Sequence, residues 1–247
     1  MSYRSRGRTL GVFYSPGFPQ GVKWLLISNV AVFIFGYFAG LARLDGPLSL
    51  LALVPADVLK RFYIWQLATY LFLHGGFGHI IWNMLALWMF GADLERLWGM
   101  KRFLRFYFFC GIGAGLCVVI LNLLWGNINT PTIGASGAIF GILMANAVLF
   151  PDRTILWGFL IPIQMKYFVL IIGVVTFISS FQVTGVSEFA HLGGLLFGYM
   201  WLKKPRGGMD LVGPAVRQYR QYKLQRAKKK FQVYMKKQGS DRDPWSQ

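Results

Sequence analysis

The chain has 247 residues, 55% of them hydrophobic and only 14% charged. A soluble domain of this size is about a quarter charged, so the long uncharged runs exclude an ordinary soluble globule and predict a polytopic membrane protein. The formal net charge of +17 would suggest nucleic acid in a soluble chain, but its placement here fits a membrane better.

Residues 1–23 form a basic, Gly/Pro-bearing segment without the apolar core and cleavage site of a removable signal peptide. Six spans are predicted after it: Trp24–Leu41, His79–Leu94, Phe103–Leu124, Ala135–Phe150, Tyr167–Phe181 and Phe189–Leu202. Segment 42–78, broken by Pro47, Pro55, Asp57 and Gly75-Gly76, is too long and apolar for a plain loop and reads as interfacial, partly embedded chain. Cys110 and Cys117 stand roughly 10 Å apart along a helix, too far for a bridge. The domain division expected is therefore 1–23, a six-helix membrane domain 24–202, and a basic tail 203–247.

Lys and Arg set the orientation. A cytoplasmic N-terminus puts 23 of the 26 basic residues inside and leaves only Arg43, Lys60 and Arg61 outside. Both termini are then cytoplasmic. In the tail, Val216, Leu224, Ala227, Phe231 and Tyr234 can share one helical face. Two readings stay open for it, a solvated charged tail and a helix that binds anionic lipids.

Polar residues within spans are costly and usually functional or paired. His79 and Asn83 stand at i and i+4 and project from one helix face. His191 is followed on its face by Gly194 and Gly198, while the fourth span carries a stripe of Gly134, Gly137, Gly141 and Ala145. Two such small-residue faces let helix backbones approach closely, which would bring Ser136 to His191. The fourth span rises only about 24 Å, less than the roughly 30 Å hydrocarbon core. With Pro151 closing its inner end, Ser136 lies below the outer surface, at a helix N-terminus whose free N–H groups favour an anion. His79 and Asn83 would add donors there. Each residue also has a plainer reading: Ser136 as cap or packing residue, His191 as structural, His79 and Asn83 as a bridge between helices. Zinc binding is disfavoured, because His74 and His79 are five apart and no HExxH occurs.

"GASGAIFG" (134–141), "HIIWN" (79–83) and "AHLGGLLFG" (190–198), in this order and on these spans, resemble the rhomboid intramembrane serine proteases. "GADLERLWG" (91–99) and "WQLATYLFLHGGFGH" (65–79) are also similar, except that Trp65-Gln66 stands where the family often has Trp-Arg. The resemblance covers about 24–202. It implies an all-α, six-transmembrane-helix rhomboid-like bundle and a Ser–His dyad without a carboxylate. Ser136 would be the nucleophile and His191 the general base. The Ser136 N–H, His79 and Asn83 would form the oxyanion hole, and the Phe140 ring would pack on the base. Gly134, Gly194 and Gly198 would support the site, and the outer loop 182–188 would cover it. No metal or other cofactor is implied. Substrates would be single-pass membrane proteins, cut in transmembrane or juxtamembrane segments near the outer end of the span, after a small residue.

The short soluble parts fit a bacterial inner membrane. Three rival readings fit the residues less well. A catalytically dead rhomboid-like chaperone would be expected to lack Ser136 or His191. A transporter or channel would usually carry paired carboxylates or discontinuous helices. A nucleic-acid-binding protein has only the tail to support it, so no nucleic-acid partner is expected.

Overall fold

A computed structural model describes residues 17–43, 46–157, 160–180 and 186–203. The basic tail, for which a lipid-binding helix is one of the two readings, most of the N-terminal segment and residues 181–185 of the expected covering loop lie outside the described residues.

The helices are α1 (Gln20–Leu41), three short ones, α2 (Gly46–Ser49), α3 (Pro55–Arg61) and α4 (Gln66–Thr69), then α5 (Phe77–Ala86), α6 (Ala92–Trp98), α7 (Met100–Trp125), α8 (Ser136–Leu149), α9 (Met165–Ser179) and α10 (Val186–Lys203). α1 and α7 are long and apolar enough to cross a membrane, while α8 and α9 are shorter apolar helices. Helix α7 is the pillar. Phe103, Phe106, Tyr107, Cys110, Ala114 and Val118 on it are fully buried. Its small residues admit the neighbours: Gly113 faces the Phe197 ring, and Cys110 fills the space beside Gly141. Helix α1 is turned outward instead, exposing Trp24, Phe35, Phe38 and Leu41. A contiguous apolar exterior of this kind suits hydrocarbon rather than water.

α1 is tied to the core at its start. The Glu95 carboxylate accepts the N–H groups of Gly21 and Val22 at 2.8 and 2.7 Å, filling two of the donors that a helix leaves unpaired at its N-terminus. Asp93, two residues earlier, pairs with Arg96 at 3.3 Å and with Arg153 beyond the far end of α8. The "GADLERLWG" motif thus staples the base of the bundle.

Three features differ from the sequence reading. The second span is not one regular helix, because a π-type turn at Leu87–Gly91 separates α5 from α6. Such a turn releases backbone carbonyls from the regular ladder. The fully buried Asn146 of α8 donates to Phe90 O at 3.1 Å and to its own Ile142 O at 2.9 Å, so a side chain takes up one of them. Segment 42–78 is not simply interfacial. Leu53, Tyr70 and Leu71 within it are fully buried, and the Tyr70 hydroxyl donates to Gly111 O of α7 at 2.8 Å. The all-α expectation also has an exception. β1 (Thr154–Trp157) pairs antiparallel with β2 (Ile161–Gln164), Thr154 opposite Gln164. Pro151 and Pro162 interrupt helix there, and the Thr and Ile residues between them favour strand.

Candidate active site

Ser136 is the first residue of α8, and the chain reaches it through a held loop. Leu53 and Thr132 exchange two backbone hydrogen bonds, at 3.0 and 2.8 Å. The Gly134 N–H then donates to Tyr70 O at 2.9 Å. Gly134 has φ +116°, a conformation that glycine adopts without penalty. A Cβ there would also stand only 2.7 Å from His79 Nε2, so glycine is needed for both backbone and space.

Helix α10 lies against α8 glycine to glycine. A Cβ on Gly194 would collide with the Gly137 carbonyl, and one on Gly198 would sit 2.8 Å from Gly141 O. This approach sets His191 Nε2 2.8 Å from Ser136 Oγ. The imidazole lies flat on the Phe140 ring, with centroids 4.2 Å apart and planes 3° from parallel. Its other nitrogen, Nδ1, is 3.2 Å from Glu188 Oε2. The implied dyad has no carboxylate, whereas here one stands on His191. The protons are consistent: the Ser136 hydroxyl donates to Nε2, and Nδ1–H donates to Glu188. The His191 and Glu188 side chains are 19% and 25% exposed.

From the facing side, α5 contributes His79 and Asn83. The Gly75 N–H donates to His79 Nδ1 at 3.4 Å, which leaves the ring proton on Nε2, the atom turned toward Gly134. Asn83 Nδ2 is buried without a hydrogen-bond partner among the described residues, 3.8 Å from the same Cβ position at Gly134. Two side-chain donors thus converge beside the N-terminus of α8. His74 stands edge-on to His79, with ring centroids 5.1 Å apart. Burial, aided by His79, pushes its pKa down to about 4. Among the described residues, no three His, Cys, Asp or Glu side chains group as metal ligands do.

Two residues had no role in the sequence reading. Gln66 is fully buried; it accepts Val54 N–H at 3.0 Å and donates to Leu50 O at 3.2 Å, while Trp65 Nε1 donates to the same carbonyl at 3.1 Å. The pair that departs from Trp-Arg therefore still pins the 50–54 chain. Glu188 is the other. Its signal was present in "SEFAH" (187–191), since residues at i and i+3 share a helix face.

The Rhomboid domain family model matches residues 61–204, a stretch that holds Ser136, His191, His79, Asn83 and Glu188. The chain is 36% identical over 135 residues to the rhomboid protease GluP of Bacillus subtilis (strain 168), covering 55% of this chain and 25% of that protein. It is 29% identical to RHOMBOID-like protein 4 of Arabidopsis thaliana, with 89% of this chain and 62% of the relative covered. It is 28% identical to Rhomboid-like protease 3 of Toxoplasma gondii, with 76% and 70% covered. The chain thus spans a quarter of the Bacillus protein and about three-fifths of the Arabidopsis one. With a family model covering more than half of its residues, the chain belongs to the membrane-embedded rhomboid family.

Proposed function

We propose that the protein is an intramembrane serine endopeptidase that cuts transmembrane or juxtamembrane segments of single-pass membrane proteins. The observation that carries this reading is the 2.8 Å contact between Ser136 Oγ and His191 Nε2 across the α8–α10 glycine seam. Ser136 Oγ attacks the scissile carbonyl carbon while its proton passes to His191 Nε2. The resulting oxyanion is held by the Ser136 N–H, His79 Nε2–H and Asn83 Nδ2–H. Collapse expels the amine, which takes the proton from Nε2 and leaves an acyl group on Ser136. Water then attacks that ester and gives a proton to Nε2, which passes it to Ser136 Oγ as the C–Oγ bond breaks and the new carboxylic acid leaves as its carboxylate.

The same reading includes six spans in a rhomboid-like bundle, a basic segment 1–23, a membrane domain 24–202 and a tail 203–247. Both termini are cytoplasmic, the membrane is a bacterial inner membrane, and the tail touches anionic lipids. A cavity of about 780 Å³ runs from α1 and Asp57 to His74, Gly75 and Ile133, where the His74 ring stands edge-on to His79, and it suits an extended substrate strand. A helix hides its carbonyls, and opening one in lipid costs several kcal/mol per exposed group. Substrates with Gly or Pro near the outer end of the span are therefore favoured, with a small residue before the cut.

The test is fluorophosphonate labelling of the purified protein beside Ser136→Ala, with product termini mapped by mass spectrometry. Labelling of wild type alone, and a cut near the outer end of a single-pass substrate, is the expected result. Equal labelling of both proteins overturns the reading.

A further inference from the structure

We propose that Glu188 is a positioning residue that selects the ring orientation and tautomer of His191, the base of the Ser136–His191 pair. This rests on the protease reading above. A base for Ser136 must present a bare Nε2 to the hydroxyl, so the ring proton must sit on Nδ1. Phe140 cannot arrange that alone. Its ring holds the plane of the imidazole, 4.2 Å away and 3° from parallel. An imidazole turned over by 180° would offer Phe140 an equally flat face while putting Cε1, which accepts no proton, opposite Ser136 and Cδ2 opposite Glu188. The Glu188 carboxylate, 3.2 Å from Nδ1, breaks that degeneracy, because it accepts a hydrogen bond only from a protonated nitrogen.

The placement follows from local sequence. Glu188 and His191 stand at i and i+3 in the first turns of α10, where side chains three apart meet and the helix dipole favours an anion. During acylation the Ser136 proton moves to Nε2 and the Nδ1 proton stays in place. The imidazolium formed then faces a carboxylate, and no proton passes to Glu188. In a buried triad, replacing the carboxylate by an amide costs about 10⁴-fold in kcat. Glu188 and His191 are 25% and 19% exposed, so solvent screens the pair and the effect here is smaller.

The experiment uses the full chain in detergent, labelled with ¹⁵N-histidine, as wild type, Glu188→Leu, Glu188→Gln and Glu188→Asp. Glu188→Leu is expected to lower kcat about ten- to hundredfold, with KM and the melting temperature unchanged. Glu188→Asp should recover part of the rate. The His191 ¹⁵N signals should move from the Nδ1-protonated tautomer in wild type to a mixture in Glu188→Leu. A kcat within twofold of wild type, or ¹⁵N signals that do not move, overturns the proposal. A wild type that neither cleaves nor labels would sink the protease reading, and the ¹⁵N comparison would still decide Glu188.

Discussion

Gly194 of α10 lies so close to Gly137 of α8 that a methyl group on it would overlap the Gly137 carbonyl oxygen. One turn along, Gly198 meets the backbone of Gly141 in the same way. This seam of backbone against backbone sets the separation that lets Ser136 reach His191.

Gly194→Ala should therefore lower both melting temperature and activity. Overpacking a tight contact costs about 1–3 kcal/mol, and here the added atom meets rigid backbone. Gly173→Ala is the control, because its Cβ would meet only Leu195 Cδ1 at an ordinary 3.4 Å. Thermal melts and cleavage rates of the two variants check this; equal behaviour would remove the seam from the account.

Ser136→Ala and His191→Ala should each abolish cleavage while the protein still melts as wild type does. The backbone seam between α8 and α10 is made by glycines, which neither substitution touches. Turnover by Ser136→Ala above background would require another nucleophile.

His79→Ala and Asn83→Ala should each slow kcat about a hundredfold or more, the usual loss on removing one oxyanion donor. Asn83 Nδ2 has no hydrogen-bond partner among the described residues, so the loss should not come from a broken structural bond. Single-turnover acylation rates separate the two causes. Wild-type acylation in both variants would reduce these residues to packing.

Glu95→Ala should destabilise the protein without changing the chemistry of what remains folded. It leaves the N–H groups of Gly21 and Val22 unpaired at a buried helix start, at a cost of about 1–3 kcal/mol. The neighbouring Asp93 pairs with Arg153, beyond the end of α8 opposite Ser136. Melting temperature should fall while kcat per labelled serine holds steady.

His74 gives a pH test. Its pKa is about 4 in the fold against 6.5 in an unfolded chain, so between those values the unfolded state binds more protons. Stability should fall as pH falls through that window. His74→Gln removes this contribution, and its melting temperature should drop less between pH 7 and pH 4 than that of wild type. Parallel curves would show that His74 stays equally protonated in both states.

Much of the fold was legible because its signals are local. Uncharged runs marked the long helices, and the observed α1, α7, α8, α9 and α10 overlap the predicted segments. The meeting of Ser136 with His191 could be argued from two glycine stripes, since small residues at i, i+3 and i+7 have one physical use in lipid. The π-type turn was not legible. Leu87–Gly91 is as apolar as any helix, and its distortion is answered by Asn146, 56 residues beyond Phe90. Segment 42–78 was legible as partly embedded chain, but not its partners: Leu53 and Tyr70 supply the hydrogen bonds that guide residues 132–134 into Ser136.

The sequence by itself determined which residues could do chemistry, and on which helices they stand, because residue type and helical spacing are properties of neighbours in the chain. Only the tertiary structure decided which nitrogen of His191 faces Ser136 and that Glu188 faces the other. A ring nitrogen's partner depends on side-chain torsions and on packing between helices, and periodicity carries no record of either.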